Sequence, residues 1–113
     1  MDPDEVAFRV EVADGPDGVV VTPHGELDLA TQDELRGVLR AEIERGGVTL
    51  DLSALRFLDS SGLRLILETA EAARRDGFRF GVVPGSATVQ RLFEVAGVSG
   101  LVPFRADREG GAP

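Results

Sequence analysis

The segment Asp59-Ser60-Ser61-Gly62 has the clearest chemical potential in this chain, because two hydroxyl groups directly follow a carboxylate. It lies at the predicted start of a helix, where unpaired backbone amides and the positive end of the helix dipole face solvent. A phosphoserine there would carry about −1.5 to −2 charges at pH 7 and would change what docks on this surface. The residue types also permit a purely structural role, because Asp and Ser are common N-cap residues.

A hydrolytic site would need Ser60 as the nucleophile and His24, the only histidine, as the base. The sequence argues against this chemistry, because it lacks both the Gly-x-Ser-x-Gly elbow and a Gly-rich oxyanion segment. Cysteine is absent, which excludes thiolate nucleophiles and thiolate metal sites. Gly46-Gly47 is not followed by the lysine of a phosphate-binding loop. We therefore predict a protein that is not an enzyme and uses no metal or cofactor.

The elements before this segment are a predicted hairpin and a predicted helix. Apolar residues alternate with charged ones over 8–12, and the turn sequence Gly15-Pro16-Asp17-Gly18 separates them from a second apolar run at 19–21. Thr31 and Glu34 have the spacing of a capping box, and they start a helix that Gly46-Gly47 ends. The apolar positions of this helix recur at helical spacing: Leu35, Val38, Leu39 and Ile43.

The second half of the chain alternates predicted strands with predicted helices. Strands are expected at 48–52, 78–83 and 101–102, and 53–58 is predicted to be a loop. One helix begins near Ser60 and is ended by Asp76-Gly77, and another is capped by Ser86 and closed by Gly97. This alternation predicts a single α/β domain over 6–104, with 1–5 and 105–113 as flexible termini.

The charge of the chain restricts its partners. Twenty acidic residues against twelve basic ones give a formal net charge of −8, whereas nucleic-acid binders need a basic surface. We therefore expect no nucleic-acid partner and a partner with a basic surface. The acidic start of the chain is the reverse of a secretory signal, and its apolar runs are too short to cross a bilayer. These features predict a cytoplasmic protein without membrane contact.

Three separated motifs resemble those of the STAS domain, in particular of the anti-sigma factor antagonist family. They are Gly25-Glu26-Leu27-Asp28, Asp59-Ser60-Ser61-Gly62-Leu63 and the run at 89–97, and the resemblance extends over roughly 8–104. It implies a mixed β-sheet that opens with a hairpin and is covered by helices mainly on one face. It also implies that the unmodified domain binds an anti-sigma factor that is a serine kinase, and so releases a sigma factor.

The same resemblance assigns roles to individual residues. The first serine of the pair, Ser60, corresponds to the phosphate acceptor, and Ser61 is the second candidate for phosphorylation. A serine phosphatase is expected to reverse the modification. Asp28 and Asp59 match positions near the acceptor and, with Ser60, Ser61 and Gly62, form the expected partner-binding set. Each aspartate could instead cap a helix or close a turn. The alternative function is a STAS subunit of a sensory complex or a regulator of a transporter ATPase.

Overall fold

The computed structural model describes residues 7–105, which form one mixed α/β unit. The strands are β1 (Arg9–Gly15), β2 (Gly18–Leu27), β3 (Gly47–Asp51), β4 (Leu55–Leu58) and β5 (Arg79–Val83). The helices are α1 (Gln32–Glu44), α2 (Ser60–Asp76) and α3 (Ala87–Val95), followed by a short 3-10 turn at Ser99–Leu101. Among the described residues, no helix is both long enough and apolar enough to span a bilayer.

The sheet is mixed, as the resemblance implies. β1 and β2 form the predicted antiparallel hairpin, and β2, β3 and β5 follow in parallel to give the order β1-β2-β3-β5. The fifth strand, β4, pairs in parallel with the last residues of β2, after a register shift between Gly25 and Glu26. The strand β2 therefore connects the hairpin to the segment that carries Ser60.

The core lies between the sheet and the helices. Alternate residues of β2 are buried, from Val21 to Leu27, and this is the period expected of a strand with one face in the core. The helix α1 packs against β2 and β3, α2 packs against β4 and β5, and α3 packs against β4. Their largest fully buried side chains include Leu35, Ile66 and Phe93.

Two predicted elements near the ends of strands were wrong. Residues 55–58, predicted as loop, form β4, because Leu55 and Leu58 are buried and their backbone pairs with β2. The two residues between them are both exposed, so the segment lacks the alternation of apolar and polar residues that predicts a strand. Residues 101–102 were predicted as a last strand. Leu101 instead ends the 3-10 turn and Val102 follows it, and the parallel bridge to β5 is made by Phe104.

Arg105 also departs from its prediction as the first residue of a flexible tail. Its backbone N–H donates to the carbonyl of Val82 at 2.8 Å, and its guanidinium donates to Thr49 Oγ1 at 2.8 Å and to Asp17 Oδ2 at 2.7 Å. These bonds join the end of the described chain to the hairpin turn and the centre of the sheet. The predictions for 1–6 and 106–113 lie outside the described residues.

Candidate functional site

Two loops that are far apart in sequence meet at one edge of the sheet. Because β2 and β4 are parallel and pair at Leu27 and Leu58, the residues that follow each strand emerge side by side. The backbone N–H of Asp59 donates to the carbonyl of Leu27 at 3.1 Å and fixes this arrangement. The structure thus brings Asp28 close to the segment 59–62, and these are the residues predicted to form the partner-binding set.

Asp59 is the N-cap residue of α2. Its backbone is extended (φ −103°, ψ −173°), and its Oδ1 accepts from the backbone N–H groups of Ser61 at 2.9 Å and Gly62 at 3.1 Å. The same oxygen accepts from the Ser61 hydroxyl at 2.6 Å. One carboxylate oxygen therefore occupies the amides that an anion at this helix start would otherwise use.

These contacts keep Asp59 charged. Its partial burial by itself raises the pKa of the carboxyl group, but the hydrogen bond from the Ser61 hydroxyl opposes this effect. The backbone amides of Gly62, Ser61 and Leu29 act in the same direction, and together these bonds bring the pKa of Asp59 below its ordinary value. The Leu29 amide belongs to the other loop, so a small part of this effect comes from across the site.

The Asp59 contacts predict a helix start that weakens in acid. Because the folded pKa is lower than the ordinary value of 3.8, the stabilising contribution is complete above that value and is lost as the pH falls below it, through the folded pKa. Asp59→Ala should cost about 0.5 to 2 kcal/mol of the free energy of unfolding at neutral pH. Asp59→Asn should cost less there, since its amide oxygen can still accept, and should lack this part of the acid dependence. Urea unfolding of both variants from neutral to acidic pH measures this, and an Asp59→Asn curve parallel to wild type would contradict it.

The two serines have different environments. Ser60 is the first residue of α2 and is exposed, and within 7–105 its hydroxyl makes no hydrogen bond to another residue. Ser61 is half-buried and its hydroxyl donates to Asp59. An incoming phosphate donor can reach Ser60 directly, whereas Ser61 would have to break its bond to Asp59. Of the two hydroxyl groups, that of Ser60 is therefore the more accessible.

Asp28 closes a tight turn before α1. Its Oδ1 accepts from the backbone N–H groups of Ala30 at 3.0 Å and Thr31 at 3.1 Å. The capping box predicted for Thr31 and Glu34 was wrong, because Thr31 has helical backbone angles and its side chain caps nothing. Its hydroxyl instead accepts from the backbone N–H of Asp28 at 2.9 Å and donates to the carbonyl of Glu26 at 2.8 Å. The two side chains tie the turn to the end of β2.

Gly62 is the point of closest packing under the loop. It is buried, and a Cβ atom placed on it would lie 2.6 Å from Leu58 Cδ1 and 2.8 Å from Leu27 Cγ. Both leucines are core residues at the paired ends of β4 and β2. The absence of a side chain at Gly62 therefore allows the first turn of α2 to lie directly on the two strand ends.

Exposed apolar side chains flank the loop, and sequence reasoning did not single them out. Leu29 is 73% exposed in the turn that follows β2, and Phe57 is 46% exposed just before Asp59. Phe57 also lines a groove of about 260 Å³ between β4 and α3, together with Val95, which is 72% exposed, and Arg91. Large exposed apolar groups beside polar ones are typical of protein contact surfaces. In the sequence, Phe57 stands out only as an apolar residue next to the charged Arg56, at a position that does not fit a strict alternation of buried and exposed residues.

His24 contacts residues of β1 and not Ser60. Its Nε2 is 2.9 Å from Glu11 Oε1, and its Nδ1 is 3.5 Å from an Arg9 guanidinium nitrogen. Both partners are on β1, opposite His24 or near it in the hairpin register. The Ser60 and His24 pair that a hydrolytic site would require is not formed among the residues described.

Comparisons with known proteins agree with this geometry. The family profile of the STAS domain matches residues 7–110. The anti-sigma F factor antagonist of Paenibacillus polymyxa is 32% identical over 76% of each chain. The crystal structure of an anti-sigma factor antagonist from Mycobacterium paratuberculosis superposes with a TM-score of 0.73 at 25% identity, covering 92% of this chain and 90% of that one. The anti-sigma factor antagonist SpoIIAA in its unphosphorylated form shares the fold, with a TM-score of 0.67 at 24% identity over 92% of each chain.

Proposed function

The chain belongs to the STAS domain family and, within it, to the anti-sigma factor antagonists, and from this premise we propose a switch that operates through Ser60. The unmodified protein binds an anti-sigma factor that is a serine kinase, and this binding frees a sigma factor. Phosphorylation of Ser60 ends the binding, and a serine phosphatase restores it. We place this cycle in the cytoplasm.

The exposed hydroxyl of Ser60, which has no hydrogen-bond partner within residues 7–105, is the observation that supports this proposal most directly. It is presented on the first residue of a helix whose start is fixed by Asp59 and by the bond between Asp59 and Leu27. A rigidly held acceptor with a free hydroxyl suits a kinase, because little structure has to be rearranged before transfer. The hydroxyl of Ser61 already donates to Asp59, so Ser60 offers the free hydroxyl of this serine pair within 7–105.

The chain supplies the acceptor and the partner supplies the catalysis. The Ser60 oxygen forms a bond to the γ-phosphorus of ATP while the bond from that phosphorus to the β,γ-bridging oxygen breaks, so ADP leaves and the hydroxyl proton passes to a base of the kinase. ATP and its magnesium ions are bound by the kinase. We therefore propose that this protein acts as ligand and substrate, and not as an enzyme.

The binding surface that we propose is centred on the two joined loops. Asp28 and Asp59 hold the loops through bonds within the chain, so their main contribution to binding is to position Ser60. The contact area itself comes from the exposed groups around them, including Leu29 and Phe57. In this arrangement the Ser60 hydroxyl is surrounded by exposed apolar side chains. A new charge at Ser60 therefore has a large effect on the binding free energy.

Phosphotransfer followed by intact mass spectrometry tests the proposal. When the protein is incubated with its anti-sigma factor kinase and magnesium ATP, we expect one phosphate on the wild-type chain and none on Ser60→Ala. Ser61→Ala is the matched control and should still accept one phosphate. Because the Ser60 hydroxyl bonds to nothing within 7–105, Ser60→Ala should change the free energy of unfolding by less than about 0.5 kcal/mol. If Ser60→Ala gained a phosphate and Ser61→Ala did not, the acceptor would be Ser61.

A further inference from the structure

A phosphate on Ser60 would be stabilised by a nearby cation, because two backbone amides at the start of α2 are already occupied. The backbone amides of Ser61 and Gly62 donate to Asp59, whose carboxylate is one residue away from Ser60. The sequence pattern alone suggests that these amides would receive the phosphate, but in the structure they are taken by another anion. The phosphate and the Asp59 carboxylate would repel each other, and a cation close to both would offset this repulsion.

Arg64 lies one helical turn after Ser60. It is exposed, and among residues 7–105 it takes part in no ion pair. The acidic residue four positions further along α2, Glu68, is engaged by Arg36 of α1, with 3.3 Å between Arg36 Nη1 and Glu68 Oε1. The Arg64 guanidinium is therefore available to a new anion on α2.

The spacing of Ser60 and Arg64 suits an ion pair. Residues four apart on a helix are neighbours on its surface, about 5 to 6 Å between Cβ atoms, and the order with the anion nearer the N-terminus is the favourable one. A guanidinium can also bind two phosphate oxygens at once, which makes such a bond stronger than that of a single ammonium group. Both residues are on the exposed side of the first two turns of α2.

We propose that Arg64 binds the phosphate of phosphorylated Ser60 and forms an intrahelical pair that exists only in the modified protein. This inference rests on the proposed function in taking Ser60 as the phosphorylated residue. The pair balances the repulsion from Asp59, keeps the first turn of α2 intact and holds the phosphate against the protein's own surface. The modified form is thereby a folded protein with an altered surface.

The test measures the second ionisation of the phosphate by following the phosphorus NMR shift with pH. Phosphoserine is incorporated at position 60 during translation, so that no kinase is required. Because Arg64 stabilises the dianion, we expect this pKa to be lower in the otherwise wild-type protein than in Arg64→Gln by roughly 0.3 to 0.7 unit. Arg64→Lys should retain part of the difference, and salt at about 1 M should remove most of it.

Two control variants separate a direct bond from the general field of the protein. Arg75→Gln removes a charge from the same helix, about 22 Å along the helix axis from Ser60. Arg91→Gln removes an exposed guanidinium in the groove beside Phe57. Neither should move the phosphate pKa as Arg64→Gln does. An unchanged pKa in Arg64→Gln, or an equal shift in Arg91→Gln, would overturn the assignment.

This experiment and the phosphotransfer assay fail independently. If the kinase leaves Ser60 unmodified, the proposed switch is wrong, and the phosphorus titration still reports whether Arg64 binds a phosphate at that position. If the titration shows no role for Arg64 while the kinase modifies Ser60, the switch stands and only the intrahelical pair is refuted.

Discussion

Phosphorylation of Ser60 should lower the affinity for the anti-sigma factor by about 100-fold, with little change in the melting temperature of the protein itself. At the interface the phosphate must lose its hydration, and it lies beside the charged Asp59 and among exposed apolar groups such as Phe57. Truncated or unpaired charges at interfaces typically cost about 2 to 5 kcal/mol, which corresponds to a factor of 30 or more. In the free protein the same phosphate remains in water, so folding is affected far less than binding.

Calorimetric titration of the kinase with each form, together with circular dichroism and thermal melts, measures both effects on authentic phosphoprotein. Ser60→Asp should imitate phosphorylation only partly, with a loss of about 10-fold, because it carries one charge and a smaller group. Ser60→Ala is the control and should bind like the unmodified protein. Undiminished affinity of the phosphoprotein, or a large loss of helical signal on phosphorylation, would show that a surface change is not the mechanism.

Gly62→Ala should destabilise the protein by about 1 to 2 kcal/mol, although alanine is the better helix former. The added methyl group would lie within 3.0 Å of Leu58 and Leu27 atoms, and overpacking of this kind costs about 1 to 3 kcal/mol. The gain in helix propensity, about 1 kcal/mol at most, offsets only part of this cost. Because the strain falls on the first turn of α2, the position of Ser60 should change as well.

Gly37→Ala provides a matched control, since Gly37 is in the middle of α1 and nothing lies within 4 Å of a Cβ placed there. That variant should gain about 0.5 to 1 kcal/mol. Urea unfolding measures both, and the same chemical change should give opposite signs at the two positions. The initial rate of Ser60 phosphorylation should fall in Gly62→Ala and stay unchanged in Gly37→Ala. Stabilisation by both substitutions would show that the contact between α2 and the strand ends is loose.

The sequence by itself determined the features that depend on neighbours within a few residues. The hairpin turn, the start of α2 at Ser60, its end at Gly77 and the cap of α3 by Ser86 were all predicted and are confirmed. Each of these features depends on the types of neighbouring residues, because caps, turns and helical spacing involve residues at most four positions apart. The STAS resemblance is confirmed for the same reason, since three short motifs carry it.

Only the tertiary structure decided which atoms meet at the site. The strand β4, the bond from Asp59 to Leu27 and the packing of Gly62 on Leu27 all join residues about 30 positions apart, and no local pattern records such contacts. The failure of the Thr31 capping box has the same origin, because the end of β2 offered its hydroxyl better partners than the helix did.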